Sequence, residues 1–306
     1  MVRCLFAFVA ILLVTSADAR PRGAPGVVDG YLWSVFQATT SGPLKMLQSV
    51  DGVNWTNRAV SYTPCNAGGY VRDPSIAKFA VQGKHYIVHT NTTFGVANTT
   101  FDLAVSSDDA RTFTCVQQID MSSVSSGASS QIWAPEWAHN TDGTPWLDSN
   151  IGGCPRVYVA ASSTGLSGTG FQIYETHPTN CSDFAQAWTT PTLVTGTSLP
   201  SNIIDAYPYV SGSTVNLWIK NETDDYVGYL TSTTSAPTSG YTVTKSGDWA
   251  GWGQPLEGES VIQTSNPLRI YLDAQGSGYT YSDSLDSGAT WTTKQSVVTP
   301  FLAQHG

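Results

Sequence analysis

A turn of one kind recurs along this chain, and it narrows the fold more than any other feature. It reads Ser49-Val50-Asp51-Gly52-Val53-Asn54-Trp55, then Ser107-Asp108-Asp109-Ala110-Arg111-Thr112-Phe113, then Ser284-Leu285-Asp286-Ser287-Gly288-Ala289-Thr290-Trp291. A fainter relative runs from Asp183-Phe184 to Trp188. In such a turn the Ser and Asp side chains bond backbone amides, Gly accepts a positive φ, and the aromatic closes over the loop. Each copy follows an apolar, strand-like run. Units of several tens of residues ending this way are what four-stranded propeller blades produce. A β-sandwich with long hairpins is the alternative on the repeats alone.

The rest of the chain agrees with an all-β reading. Lys84–His89, Arg156–Ala160, Val215–Ile219 and Leu268–Leu272 alternate apolar and polar residues, the period of a strand. Only 12% of residues are charged, while Ser, Thr, Gly and aromatics abound, a mixture that disfavours helices. No three-turn amphipathic helix and no domain linker is found. The formal net charge of −9 repels phosphates and anionic lipids, so neither a nucleic acid nor a membrane partner is expected. A monomer is expected.

The N-terminus reads as a targeting segment. Arg3 precedes an apolar run from Cys4 to Val14, and Ala17-Asp18-Ala19 offers a small-x-small cleavage site, so residues 1–19 are taken as a signal peptide and 20–306 as one exported, extracellular domain. Cys65, Cys115, Cys154 and Cys181 then remain. Four cysteines in an exported chain allow three disulfide connectivities; sequence proximity favours Cys154–Cys181, which leaves Cys65–Cys115. Sequons begin at Asn54, Asn91, Asn98, Asn180 and Asn221, which would place glycans on surface loops; at Asn180 a bonded Cys181 would stand inside the sequon.

Acidic residues are few, so their placement matters. Asp73 (Val71-Arg72-Asp73-Pro74-Ser75-Ile76), Glu136 (Trp133-Ala134-Pro135-Glu136-Trp137), Asp205 (Ile203-Ile204-Asp205-Ala206-Tyr207) and Glu257 (Pro255-Leu256-Glu257-Gly258-Glu259) stand in apolar or aromatic surroundings, about once per repeat unit. Burying a carboxylate is costly unless it is paired or functional. The innermost strand of every propeller blade lines the axis, so acids in equivalent strands converge on one pocket. Two convergent carboxyls are what glycosidic cleavage requires: one protonates the leaving oxygen, the other activates water or attacks carbon. The plainer alternatives are that Asp73 shapes a turn before Pro74 and that Glu136 is a salt-bridge partner.

In order along the chain, Arg72-Asp73-Pro74-Ser75-Ile76, Trp133-Ala134-Pro135-Glu136, Ile204-Asp205-Ala206 and Glu257-Gly258-Glu259-Ser260-Val261 resemble glycoside hydrolase family 43, as do Lys220-Asn221-Glu222, Arg269-Ile270-Tyr271-Leu272-Asp273 and His305-Gly306. The resemblance implies a five-bladed β-propeller and an inverting hydrolase. It makes Asp73 the general base, Glu257 the general acid, and Asp205 the carboxylate that orients Glu257 and holds its pKa up. Trp133 would wall the sugar, with Glu136 lining the pocket and Arg269 binding substrate. Inversion implies carboxyls of Asp73 and Glu257 roughly 6.5–9.5 Å apart. Where relatives have Glu-Gly-Pro this chain has Glu257-Gly258-Glu259, and Glu259, two residues on, is expected on the opposite strand face. His305 is expected near the axis, beside a structural calcium ion; the chemistry itself needs no cofactor. His85 and His89 share one strand face, and His139 and His177 are read as surface residues. The chain stops soon after His305, which leaves a weakly closed last blade as an expectation.

The substrate implied is a poly- or oligosaccharide of the plant cell wall. An exo-acting α-L-arabinofuranosidase on arabinan or arabinoxylan is favoured, with a β-xylosidase or endo-arabinanase next. Two other readings compete. The Ser284-x-Asp286-x-Gly288-x-x-Trp291 turn also matches the Asp-box of sialidases, although an arginine clamp is missing from the sequence. A non-catalytic carbohydrate-binding propeller would use the ten tryptophans but has no need of Asp73 and Glu257 in one pocket.

Overall fold

The structure is a computed structural model that describes residues 30–37, 42–66, 68–164, 170–264, 267–275 and 277–305. The signal peptide read at 1–19, and Gly306, lie outside the described residues. Strands account for nearly all regular structure, as the alternating sequence requires; among the described residues the one helix is the 3-10 turn Ser149–Ile151.

Five antiparallel sheets surround one axis. From the axis outward, the second blade runs Arg72–Phe79, Lys84–Thr90, Thr100–Ser106 and Thr112–Asp120, with Ser61–Thr63 added parallel at its rim. The third runs Gln131–Trp137, Val157–Ser162, Gln172–Thr176 and Thr192–Leu193; the fourth, Ile203–Ser211, Thr214–Asn221, Tyr226–Thr233 and Tyr241–Lys245; the fifth, Glu257–Gln263, Leu268–Asp273, Tyr279–Ser284 and Gln295–Ser296. The first blade joins the two ends of the chain. Its innermost strand, Ala303–Gln304, comes last in sequence and pairs with Tyr31–Gln37, followed outward by Lys45–Ser49 and Thr56–Arg58. The last strand therefore closes the ring on the axis, through the two pairs Phe36–Gln304 and Gln37–Ala303.

The recurring turns join the third and fourth strands of the first, second and fifth blades. Asp51 accepts from the amides of Val53 and Asn54, both at 2.8 Å, and Ser49 Oγ accepts from Gly52 N at 2.9 Å. Asp286 and Ser284 repeat the pattern toward Thr290 and Gly288. In the second blade the working pair is Ser106 and Asp108, which takes the amides of Arg111 and Thr112. The register is thus one residue earlier than the sequence pattern indicated, and Asp109 pairs instead with Arg58 at 2.6 Å.

The closing aromatics help to seal the joints between blades. Trp33, Trp55, Tyr271 and Tyr279 interlock between the first and fifth, with Trp33 and Tyr279 edge-on at 4.2 Å. Trp218, Trp249, Trp252 and Trp291 join the fourth and fifth, and Phe79, Trp137 and Phe184 the second and third. Tilted and edge-on pairs of this kind add to the area they bury. Cys65–Cys115 and Cys154–Cys181 are both formed, as sequence proximity favoured.

Two of the surface readings are corrected. Asn91 is buried, and its side-chain amide donates to Asp102 Oδ1 at 2.7 Å and Thr100 Oγ1 at 2.9 Å, so that nitrogen has no room for a glycan; Asn54 and Asn180 are exposed. His139 is buried and stacks on Tyr207 at 5.6 Å.

Removal of residues 300–306 takes away the strand that closes the ring and uncovers Phe36. We expect the melting temperature of the truncated protein to fall by on the order of 10 °C, given about 2–4 °C per kcal/mol in a chain of this size; calorimetry of the two forms measures it.

Candidate active site

One backbone irregularity repeats at the head of four innermost strands and sets the site. Pairing with the neighbouring strand shifts register after Arg72, Trp133, Ile204 and Glu257. The next residue in each case, Asp73, Ala134, Asp205 and Gly258, has a positive φ of 48°, 45°, 52° and 59°. Such bulges re-aim side chains, and three of the four residues are not glycine, at about 1–3 kcal/mol of backbone strain each. In the first blade Gln304 is the last paired residue and His305 follows it, which puts His305 level with Asp73 and Asp205. Gly258 has to be glycine: a Cβ there would lie 2.0 Å from the Cβ of His305.

Above this level a cavity of about 510 Å³ opens, lined by Arg72, Asp73, Trp133, Asp205, Lys220, Glu257 and His305 among others. His305 is its hub. Nε2 lies 3.1 Å from Asp73 Oδ1 and 3.8 Å from Asp205 Oδ2; Nδ1 lies 3.4 Å from Asp273 Oδ2 and 3.7 Å from Glu257 Oε1. One imidazole thus stands between the carboxyls of Asp73 and Glu257. Thr90 Oγ1 donates to Asp73 Oδ2 at 2.7 Å and accepts from Ala134 N at 2.8 Å, which fixes the carboxyl against the third blade. Asp205 Oδ2 accepts from Gly258 N at 3.2 Å. Glu257 Oε2 accepts from Lys220 Nζ at 2.9 Å and Gln275 Nε2 at 2.6 Å.

The charges follow from these contacts. Burial pushes the Asp73 carboxyl up, but His305, Arg72 and Thr90 outweigh it and hold the pKa down at about 2. Burial dominates at Asp205, with Glu257 and Asp73 adding to it against His305, and lifts its pKa to about 7. At Glu257 burial is overcome by His305 and Lys220, so its pKa is lowered. His305 itself loses by burial and gains more from Asp205, Asp73 and Asp273, which raise it well above the usual range. An ionised Asp73, a cationic His305 and an Asp205–Glu257 pair that keeps its proton on Asp205 is the resulting state. Asp205 does not hold the pKa of Glu257 up as the resemblance implied, because two cations face Glu257.

The structure brings together Asp73, Asp205, Glu257, His305 and Trp133. It does not bring in Arg269, whose guanidinium pairs with Asp283 at 2.7 and 2.8 Å, lies over the Tyr281 ring at 4.2 Å and donates to Asp51 O, bracing the fifth blade against the first. Glu136 lies below the pocket, where Ser75 Oγ donates to it at 2.6 Å and burial lifts its pKa to about 8. Glu259 lines the same small axial cavity of about 20 Å³, and neither of its oxygens has a hydrogen-bond partner among the described residues. It was expected on the opposite strand face, but residues two apart along a strand share a face; Glu259 stays on the axis side with Glu257, and burial raises its pKa well above the usual carboxyl range. Lys220, Gln275 and Thr90 were not assigned from sequence, although Lys220 closes the apolar run Val215–Ile219.

Glu257, Asp273 and His305 offer one ligand atom each within 4.8 Å. Calcium takes about 6–8 oxygen ligands; here there are two carboxylates, a cationic imidazole, and an ammonium 2.9 Å from Glu257. That donor set does not fit a directly coordinated calcium ion.

Replacing His305 by Gln tests the hub. A lowered carboxyl contributes stability that is full above its unfolded pKa of 3.8 and lost as pH falls through about 2. A raised imidazole contributes stability that is full below its unfolded 6.5 and lost as pH rises through its folded value. The deficit in melting temperature of His305→Gln is therefore expected to be widest between pH 3.8 and 6.5, as thermal melts across pH can record.

No protein-family model matches the chain, and no curated protein matches it in sequence. Solved structures match it in fold. An α-L-arabinanase mutant from Cellvibrio cellulosa aligns over 89% of this chain and 96% of its own, with a TM-score of 0.60 and 13% identity. An exo-β-1,3-galactanase from Clostridium thermocellum aligns over 79% and 51%, at 0.58 and 9% identity. GH43B of the xyloglucan PUL of Bacteroides ovatus aligns over 75% and 41%, at 0.51 and 14% identity. The chain thus spans about half the length of the galactanase and less of GH43B. What it shares with all three is the fold, and the chain is a five-bladed β-propeller of the kind these glycoside hydrolases and their relatives are built on.

Proposed function

We propose that the chain is a secreted glycoside hydrolase of the family 43 type that cleaves neutral plant polysaccharides with inversion, acting as an exo-α-L-arabinofuranosidase on arabinan or arabinoxylan. The observation that carries this reading is a pair of carboxyls, Asp73 and Glu257, in one pocket with a single imidazole between them. An inverting pair needs room for a water between base and sugar, and the cavity that both carboxyls line offers it. The two disulfides agree with an exported protein. Arg72 is the one arginine lining the pocket among the described residues, so the arginine clamp of a sialidase finds no support.

In this reading Asp73, ionised by His305, takes a proton from water as the water oxygen attacks the anomeric carbon. The glycosidic C–O bond breaks, and the leaving oxygen receives a proton from Glu257. Glu257 acts as the acid in the form of the pair in which the shared proton has passed to it and Asp205 is left ionised, and Lys220 sets how readily Glu257 gives that proton up. Trp133 offers the sugar an apolar wall. No step runs through a metal ion. The many carboxylates disfavour uronic acids and leave neutral sugars as substrates.

A panel of aryl arabinofuranoside, aryl xyloside, linear arabinan and arabinoxylan tests the reading. Arabinose release is expected, and xylose release alone would replace the arabinofuranosidase by a β-xylosidase. Asp73→Asn and Glu257→Gln should each lower kcat/KM at least about a hundredfold. The rate should fall as pH rises through about 7, where Asp205 loses its proton. Lys220→Met removes a cation that lowers both Glu257 and Asp205, so it should move that alkaline limb to higher pH. Activity is expected to survive chelation with EDTA.

A further inference from the structure

A second cavity lies on the axis, at the end opposite the catalytic pocket. Its walls come from positions a few residues beyond the bulges: Ser75 and Ile76 of the second blade, Glu136 of the third, Tyr207 of the fourth, Ser260 and Ile262 of the fifth. Among the described residues the innermost strand of the first blade pairs only at Ala303 and Gln304, so Tyr31 and Trp33 of the next strand, with Trp55, complete the wall. The small axial cavity that Glu259 lines separates the two ends. It shares Asp73 and Asp205 with the catalytic pocket, and Glu136 and Ser260 with the far cavity. The far cavity measures about 120 Å³, close to the roughly 150 Å³ that admits one benzene-sized ring.

Aromatic and aliphatic side chains make most of this wall, which alone would mark a dry packing defect. The polar groups among them do not fit that reading. Trp55 Nε1 and His139 Nδ1 have no hydrogen-bond partner, although each residue is only 5% exposed. A buried donor or acceptor left unpaired is costly, and few native groups are left so. Glu136 Oε1 accepts from Ser75 Oγ at 2.6 Å and lies 3.7 Å from His139 Nδ1. Burial pushes the Glu136 carboxyl up to about 8 and the His139 imidazole down to about 4. At neutral pH the cavity is therefore polar at several points and charged at none.

These walls select their ligand. A charged molecule finds no counter-ion there. A purely apolar ring would suit the aromatics but leave the indole and imidazole nitrogens unpaired. A neutral ring with several hydroxyls satisfies both, with its C–H face on an aromatic and its hydroxyls toward Trp55, His139 and Glu136. We propose that this cavity is a second ligand site, on the face opposite the catalytic pocket, that takes one neutral polyol ring the size of a monosaccharide. Gly143 and Ile262, both partly exposed, give access to it from solvent. None of Asp73, Asp205 and Glu257 lines it, and the proposal does not depend on the hydrolase reading.

Crystals of the unaltered protein soaked separately in xylose, myo-inositol and phenol locate the occupant, and calorimetric titration with myo-inositol measures its affinity. Density for xylose or myo-inositol in the far cavity is expected. Trp55→Phe and His139→Phe keep an aromatic ring and remove one polar atom each, so each should weaken myo-inositol at least about fivefold, on the scale of one lost hydrogen bond. Neither residue lines the catalytic pocket, and kcat/KM on an aryl arabinofuranoside should stay unchanged in both. The proposal is overturned if the polyols occupy the catalytic pocket alone, if phenol fills the far cavity and they do not, if a segment of the chain itself fills it, or if both variants bind myo-inositol as the unaltered protein does. The soaks need no substitution, so a variant that fails to fold leaves the test standing.

Discussion

The imidazole of His305 faces Asp73 through Nε2 at 3.1 Å and Asp273 through Nδ1 at 3.4 Å, and its backbone amide donates to Asp273 at 3.3 Å. With a carboxylate at each nitrogen, the ring holds both protons and a positive charge. That charge keeps Asp73 ionised although it is buried, which an isolated carboxyl in an apolar site would not be. The same contacts fasten the final strand of the chain to the fifth and second blades. Closure of the ring and ionisation of the pocket are therefore one arrangement.

Around this hub the strained bulges distribute the acids by depth. Glu257 precedes its bulge and faces the upper pocket, whereas Asp73 and Asp205 occupy the bulged position itself. Glu259 and Glu136 follow theirs and line the axis below. Depth then decides charge. At the lower two burial dominates, at Glu259 even against His305 and Lys220, and raises the pKa, while Asp73 and Glu257 face His305, and Glu257 also faces Lys220. A propeller axis so rich in carboxyls is tolerable because few of them are ionised together.

The sequence carried the repeat unit, the strand periodicity, the cysteine pairing and the set of acids that meets at the axis. Local chemistry made them legible: Ser and Asp in a turn, alternating apolar positions, and a carboxyl amid aromatics each leave a mark within a few residues. Depth along the axis was not legible, since it depends on a left-handed residue at the head of each inner strand, and Asp73, Ala134 and Asp205 carry no sign of a positive φ. Glu259 was misplaced for a different reason: residues two apart in a strand share a face, so the opposite face was the wrong expectation. Arg269 was misread because its partner Asp283 lies across a strand pair, and Gln275 was missed because a loop delivers it. The buried Asn91 shows the same limit for sequons: the motif is local, its burial is not.

The central claim is that Asp73 and Glu257 act across a gap wide enough for water. Proton NMR of the first sugar released from an α-L-arabinofuranoside measures it directly, before mutarotation mixes the anomers. The account predicts the β-anomer first, the product of one displacement by water. Initial release of the α-anomer would mean a covalent intermediate and carboxyls only about 5–5.5 Å apart, and would contradict it.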